Sequence, residues 1–111
     1  MIKSRALPQR PASHIRTVGE RIRIARKRRG LTLRELAERA GVAPNTLLAL
    51  ERGQPSASIG VLATVLWLLG IDDAFASLAD PESDAHGKAL ELSRAPKRVR
   101  KSHGGKALDD F

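Results

Sequence analysis

The chain has 111 residues, no cysteine, 3% aromatic residues and a formal net charge of +8 at pH 7. That length suits one small domain, the missing thiols exclude disulfides, and three scattered histidines without a carboxylate cluster predict neither a metal site nor a cofactor. No apolar run approaches the roughly 20 residues of a membrane span, and the N-terminus lacks the apolar core of a secretory signal, so we expect a cytoplasmic protein.

The N-terminal segment is basic and contains two prolines. Residues 1–16 carry four Lys or Arg and no acidic residue, which predicts a flexible basic arm. From Thr17 onward apolar residues recur at helical spacing, and Gly30 has the position at which glycine commonly ends a helix. The folded domain is therefore expected to begin at Thr17 with a first helix that ends near Gly30.

Two short helices separated by a four-residue break are predicted next. Thr32 and Glu35 have the spacing of a capping box at a helix start, and Gly41 ends this second helix. Pro44 lies at a first-turn position, where its missing N–H costs little, and the third helix runs to Arg52.

A fourth and a fifth helix complete the predicted domain. Ser58 has a capping side chain, and the fourth helix is expected to run from Ile59 to Leu69. A short fifth helix is expected to hold Phe75 and Leu78. No strand-like alternation of useful length accompanies these helices, so the sequence predicts an all-α domain.

The C-terminal residues 81–111 are predicted to form a basic and largely disordered tail, with one helical turn around residues 89–92. Residues 94–111 carry six Lys or Arg against two Asp, whereas residues 17–93 carry ten charges of each sign. Basic ends on a neutral body favour contact with a polyanion, most commonly nucleic acid. The alternative is that both ends are solvated tails that keep the protein soluble.

The second and third helices with their short glycine-containing break match a helix-turn-helix. Ala37 is small enough for the two helices to cross closely, and Gly41 can adopt the positive φ that reverses the chain. Val42 then fills the angle between the helices, while Leu47 and Leu50 face the core.

This arrangement leaves Asn45, Thr46 and Ala49 on the outer face of the third helix, close to its N-terminus. In helix-turn-helix proteins that end of the second helix enters the major groove. Asn can bond adenine through two hydrogen bonds, and Thr and Ala can contact a thymine methyl group. With Pro44 at the helix tip, these residues form the predicted base-contacting set; the alternative is that they are ordinary residues of a first helical turn.

The stretch from Val18 to Gly53, VGERIRIARKRRGLTLRELAERAGVAPNTLLALERG, resembles the lambda-repressor/Cro-like (XRE) helix-turn-helix family. The resemblance depends on several features that coincide: Gly30-Leu31-Thr32, Glu35-Leu36-Ala37, Gly41-Val42, Thr46-Leu47 and Glu51-Arg52-Gly53. It implies a five-helix DNA-binding domain over residues 17–80, with the third helix as recognition helix. It also implies a sequence-specific transcriptional regulator that binds double-stranded DNA.

The same resemblance implies an ion pair between Arg26 and Glu51. Elementary electrostatics agrees, because a partly buried Glu near a helix C-terminus is disfavoured by the dipole and needs a cation. We expect Glu51→Ala to destabilise the fold by roughly 1–3 kcal/mol.

Three positions depart from the family pattern. Leu33 stands where the family often has a Gln that binds a phosphate, and Ala43 stands where it often has a capping Ser. Leu48 replaces a residue that is usually polar, and it is expected to meet either a thymine methyl group or a protein neighbour.

Because Leu33 cannot bind phosphate, other residues must contact the DNA backbone. Arg34 and Arg52 are the first candidates, and Arg28 and Arg29 follow. The alternative for the run ARKRRG is a solvated helix end whose cations complement the C-terminal dipole.

The fourth and fifth predicted helices carry more apolar residues than one face can bury. Trp67, Leu68, Ile71 and Phe75 are expected to remain outside and to form a homodimer interface. A dimer would place two recognition helices about 34 Å apart on a palindromic operator. The alternative is that Trp67 packs beneath the C-terminal residues.

Three regulatory functions compete at this point. The segment from Leu68 to Lys101 resembles HipB-like regulators, which implies an autorepressing antitoxin that binds a HipA-type kinase toxin. A stand-alone XRE-family repressor is the alternative, and a DNA-bridging or coactivator-like protein with dominant tails is a third. No nucleophile–base pair or phosphate-binding glycine loop is recognisable, so we do not expect an enzyme.

Overall fold

The computed structural model describes residues 6–94, and every regular element in that range is a helix. The elements in chain order are α1 (Gln9–Arg28), α2 (Leu33–Ala40), α3 (Pro44–Glu51), α4 (Ile59–Leu68), α5 (Asp73–Ala76), a short 3-10 helix (Pro81–Ser83) and α6 (Ala85–Arg94). The predicted all-α class is confirmed. The chain divides into two compact units, one through Ala76 and the other from Ser77. Within the described range no helix combines the length and apolar character that crossing a bilayer requires.

The first helix begins earlier than predicted, at Gln9 and not at Thr17. Pro11 is compatible with this start because it lies in the first turn, where a backbone N–H has no partner within the helix. The arm expected over residues 1–16 is therefore helical from Gln9 onward, and residues 1–5 lie outside the described part of the chain.

Local signals position α2 and α3 as predicted. The Thr32 hydroxyl accepts a hydrogen bond from the Glu35 N–H (3.0 Å), and the Glu35 carboxylate accepts one from the Thr32 N–H (2.8 Å). Gly41 ends α2 with φ of 72°, a conformation that only glycine adopts without strain. Pro44 is the first residue of α3, and Ala43 precedes it without a side-chain cap.

The core of the first unit is aliphatic. Its buried hydrophobic residues come from α1 to α3 and from α4 with the residue that ends it: Ile22, Ala25, Leu36, Ala37, Leu47, Leu50, Val65 and Leu69. Val18 of α1 is 39% exposed and lies outside this buried set. Gly19 is buried where α1 crosses α3, and a Cβ there would lie 2.5 Å from the Leu50 carbonyl oxygen.

Three boundaries near the C-terminal end differ from the prediction. Ser58 caps α4 as expected, accepting a hydrogen bond from the Val61 N–H (3.1 Å), but α4 ends at Leu68. The short α5 ends at Ala76, so Leu78 lies beyond it and is 62% exposed. The single turn predicted around residues 89–92 is part of the ten-residue α6, and residues 95–111 lie outside the described range.

Candidate nucleic-acid interface

The outer face of α3 carries the predicted base-contacting residues side by side. Asn45 is exposed and Thr46 and Ala49 are half-buried, whereas Leu47 and Leu50 on the opposite side are buried in the core. Pro44 is half-buried at the first position of the helix. Hydrogen-bonding and methyl groups thus lie together at a helix N-terminus, although their contact with bases stays a prediction.

A shallow groove of about 400 Å³ borders this face on one side. Asn45, Thr46 and Ala49 form one wall, and the residues around the α4 N-terminus form the other: Ser56, Ala57, Ser58 and Val61. Ser56 was not among the predicted contacts. Its only sequence signal is its place in a loop of turn residues directly before a helix cap.

A second, larger cleft of about 580 Å³ borders α3 on its other side. We call it the arginine cleft; it is lined by Arg16, Glu20, Arg23, Arg26, Leu33, Leu48, Glu51 and Arg52. Leu33 and Leu48, two positions that depart from the family pattern, are half-buried in its wall. Arg16 and Arg23 were not predicted as site residues, because the crossing of α1 over α3 brings them here.

The predicted pair of Arg26 and Glu51 is confirmed at the base of this cleft. The guanidinium donates two hydrogen bonds to the carboxylate, at 2.7 and 3.0 Å, and a third to the Leu31 carbonyl at 2.9 Å. Only 9% of the Arg26 side chain and 2% of the Glu51 side chain are exposed. The hydrogen bonds to Glu51 raise the pKa of Arg26 against the opposing effect of burial. This pair therefore links α1 to the C-terminal end of α3.

The four arginines predicted to contact phosphates are all exposed, but they occupy different surroundings. Arg52 directly follows α3, which ends one residue earlier than predicted, and lines the arginine cleft, whereas Arg28, Arg29 and Arg34 line neither of the two grooves. The Arg29 guanidinium donates a hydrogen bond to the Ala25 carbonyl (2.7 Å), which favours the alternative role of stabilising the helix C-terminus. Arg34 lies in the first turn of α2, where the dipole disfavours a cation and an external anion would offset that cost.

The four residues of the predicted dimer surface differ in exposure. Trp67 is 64% exposed and Ile71 38% exposed, as expected. Leu68 is half-buried against the core and Phe75 is also half-buried, so both are less exposed than expected, and the dimer interface stays a prediction. Leu68 packs inward because several faces of α4 contact the core, and not a single apolar stripe.

A turn between two helices, polar groups at the N-terminus of the second helix and an adjacent arginine cleft define a helix-turn-helix DNA-binding domain. A family model described as a helix-turn-helix domain matches residues 17–78. The chain belongs to this helix-turn-helix family of DNA-binding transcriptional regulators, of the lambda-repressor/Cro-like (XRE) type.

Two known proteins are similar to this chain. An uncharacterized HTH-type transcriptional regulator of Methanothermobacter thermautotrophicus is 46% identical over 57 residues, which cover 49% of this chain and 83% of that protein. The crystal structure of the clp gene regulator ClgR from Corynebacterium glutamicum is 34% identical, with a TM-score of 0.46 over 71% of this chain and 92% of that one.

Proposed function

We propose that this chain represses transcription by binding a specific double-stranded DNA sequence through the N-terminal end of α3. The observation that carries the proposal is the cluster of Asn45, Thr46 and Ala49 on the outer face of a helix that Gly41 and Pro44 position. These side chains match the donors, acceptors and methyl groups of base edges in the major groove.

The grooves on both sides of α3 support the same docking geometry. A major groove about 12 Å wide is bordered by two phosphate strands, so a helix inserted in it needs space for a strand on each side. On one side of α3 the arginine cleft could hold a phosphate strand. On the other side the groove presents the Ser56 and Ser58 hydroxyls. Arg52 and Arg34 are the first phosphate contacts in this proposal, followed by Arg28 and Arg29.

Dimer formation completes the proposal. Trp67 and Ile71 expose apolar surface on a unit whose own core is small. A two-fold dimer through these residues would present two copies of α3 to the half-sites of a palindromic operator. Sedimentation at tens of micromolar would give the dimer mass for the native chain and a monomer for Trp67→Ala.

The role of HipB-like antitoxin is a finer proposal, supported by one observation. The helix α6 exposes Leu90 (45%) and Leu92 (77%), and basic residues follow it in the sequence. Exposed leucines on a helix suit contact with a protein partner such as a HipA-type kinase toxin. Co-purification with such a kinase would distinguish this role from a stand-alone repressor, for which the helix-turn-helix unit is sufficient.

The experiment that tests the base-reading role is selection of a preferred operator from random duplexes, followed by Asn45→Ala. Loss of a two-bond contact to one base should reduce discrimination at one operator position by about 1–3 kcal/mol. Ser13→Ala, an exposed polar change on α1, is the matched control and should leave the preference intact. An unchanged preference in Asn45→Ala at every position would refute the proposed orientation of α3.

A further inference from the structure

The arginine cleft contains more positive charge than the structure itself neutralises. Arg26 and Glu51 neutralise one another at its base. Arg16, Arg23 and Arg52 remain at the surface, and Glu20 is the only other carboxylate in the cleft lining. The cleft therefore carries a net positive charge, which favours an anionic ligand.

The charged residues that α1 contributes to the cleft lie next to one another on the helix. Positions 16, 20 and 23 are four and then three residues apart, so they share one face of α1. Within residues 6–94 neither Arg16 nor Arg52 has an ion-pair partner. Arg23 has only a loose, exposed one, with 3.7 Å between its Nη1 and the Glu20 Oε2.

Gly53 places Arg16 beside the end of the recognition helix. Its φ is 73°, and a Cβ there would lie 2.5 Å from the Arg16 Cα, so only glycine permits this approach. Arg52 immediately precedes Gly53 and follows Asn45 by seven residues, which puts both on the same side of α3. The cleft borders the C-terminal half of α3, through Leu48, Glu51 and Arg52, whereas Asn45 lies at the N-terminal end.

We propose that the arginine cleft binds a backbone phosphate of the operator, with Arg16 and Arg23 as ligands that α1 supplies in addition to Arg52. Glu20 weakens this binding because it competes with the phosphate for Arg23. The inference rests on the proposed function, since the phosphate belongs to the DNA whose bases α3 reads. Guanidinium groups match the geometry of phosphate oxygens, and the Leu33 and Leu48 side chains reduce access of water to the contact.

The salt dependence of operator binding tests the two arginines. Arg16→Ala and Arg23→Ala should each reduce the slope of log affinity against log salt by about 0.9, without changing base preference. Arg21→Ala is the matched control, because Arg21 is exposed on α1 and does not line the cleft. Arg16→Gln repeats the test with a longer side chain, should Arg16→Ala disturb the packing against Gly53. Slopes equal to that of Arg21→Ala would overturn the proposal.

A double-mutant cycle tests the role of Glu20. Glu20→Gln should raise operator affinity by about two- to five-fold, the range of an exposed ion pair, and this gain should vanish in an Arg23→Ala background. The same gain in both backgrounds would mean that Glu20 acts through overall charge and would overturn the competition.

Two further measurements separate this proposal from the one on which it rests. If the native chain shows no base preference but the arginine variants still lower the salt slope, base reading fails and the phosphate site stands. Inorganic phosphate titrated against the protein alone, followed through the Nε–Hε signals of Arg16 and Arg23, tests a free anion as ligand. Saturable binding of phosphate with unchanged salt slopes on DNA would overturn the proposal.

Discussion

The two ends of α3, the proposed recognition helix, are held in different ways. At its C-terminal end, α3 contacts the α1 backbone at Gly19 and is hydrogen-bonded through Glu51 to Arg26. At its N-terminal end, Ala43 provides no side-chain cap and Asn45 is exposed. The side-chain hydrogen bonds that hold α3 thus lie at the end away from the proposed base contacts. Asn45 at the other end thereby remains exposed, as the proposed base contact requires.

The largest expected effect concerns the ion pair at the fixed end. Glu51→Ala leaves the buried Arg26 guanidinium without its carboxylate and should destabilise the fold by about 3–5 kcal/mol. This is more than the sequence alone suggested, because both side chains are almost fully buried. Chemical denaturation followed by circular dichroism measures the loss. Glu20→Ala removes an exposed carboxylate and is the control. A similarly small loss of stability in both variants would contradict the role of the Arg26–Glu51 pair in holding α3 to α1.

Gly19→Ala should have the next largest effect. A methyl group there would meet the Leu50 and Glu51 carbonyl oxygens at 2.5 and 2.7 Å, so α1 and α3 must separate at a cost of about 1–3 kcal/mol. Gly60→Ala in α4 is the matched control, because its Cβ would meet only Ser58 Oγ at 4.0 Å. That control should stabilise the fold by about 0.5–1 kcal/mol. Equal thermal shifts in the two variants would argue against a close crossing.

A smaller change, a gain in stability, is expected at the uncapped N-terminus of α3. Ala43 has φ of −68° and ψ of 149°, a backbone conformation that suits a capping side chain. Ala43→Ser should therefore stabilise the fold by about 1 kcal/mol, seen as a higher melting temperature. Ala43→Val, which supplies no acceptor, should show no gain. A melting temperature equal to that of the valine variant would mean that this end is already satisfied.

The smallest effect concerns α2, whose N-terminus is capped where that of α3 is not. The hydrogen bond from the Thr32 backbone N–H, followed by that involving its side chain, holds the pKa of Glu35 below its ordinary value. The resulting stability is present above the unfolded-state pKa of about 4.3 and is lost as the pH falls through the lower folded-state pKa. Glu35→Gln should remove this acid-dependent part of the denaturation free energy. An identical acid dependence in both proteins would contradict the assignment.

The elements that sequence predicted best are those with local signals on both sides. The Thr32–Glu35 box, Gly41 and Pro44 each act within a few residues, so the bounds of α2 and the start of α3 agree with the structure. The start of α1 differs from the prediction because two prolines and basic charge in residues 1–16 give no helical signal, although Pro11 suits a first turn.

The candidate site also contains residues that local sequence predicts and residues that only tertiary packing brings together. Asn45, Thr46 and Ala49 follow from helical spacing within α3, and their juxtaposition could be predicted. Arg16 and Arg23 join Arg52 only because Gly19 and Gly53 allow α1 to approach α3 closely. Such a contact depends on tertiary packing between distant positions, for which periodicity along one helix gives no signal.

The exposed position of Trp67 has a spectroscopic consequence. The chain contains one tryptophan and no tyrosine, and this indole is 64% exposed while the core is aliphatic. Its emission will change little when the core unfolds, because water already surrounds much of the ring in the folded chain. Burial of the ring between two subunits would instead shift the emission to shorter wavelength. Tryptophan fluorescence of this protein will therefore report association, and unfolding is better followed by the loss of helical circular dichroism.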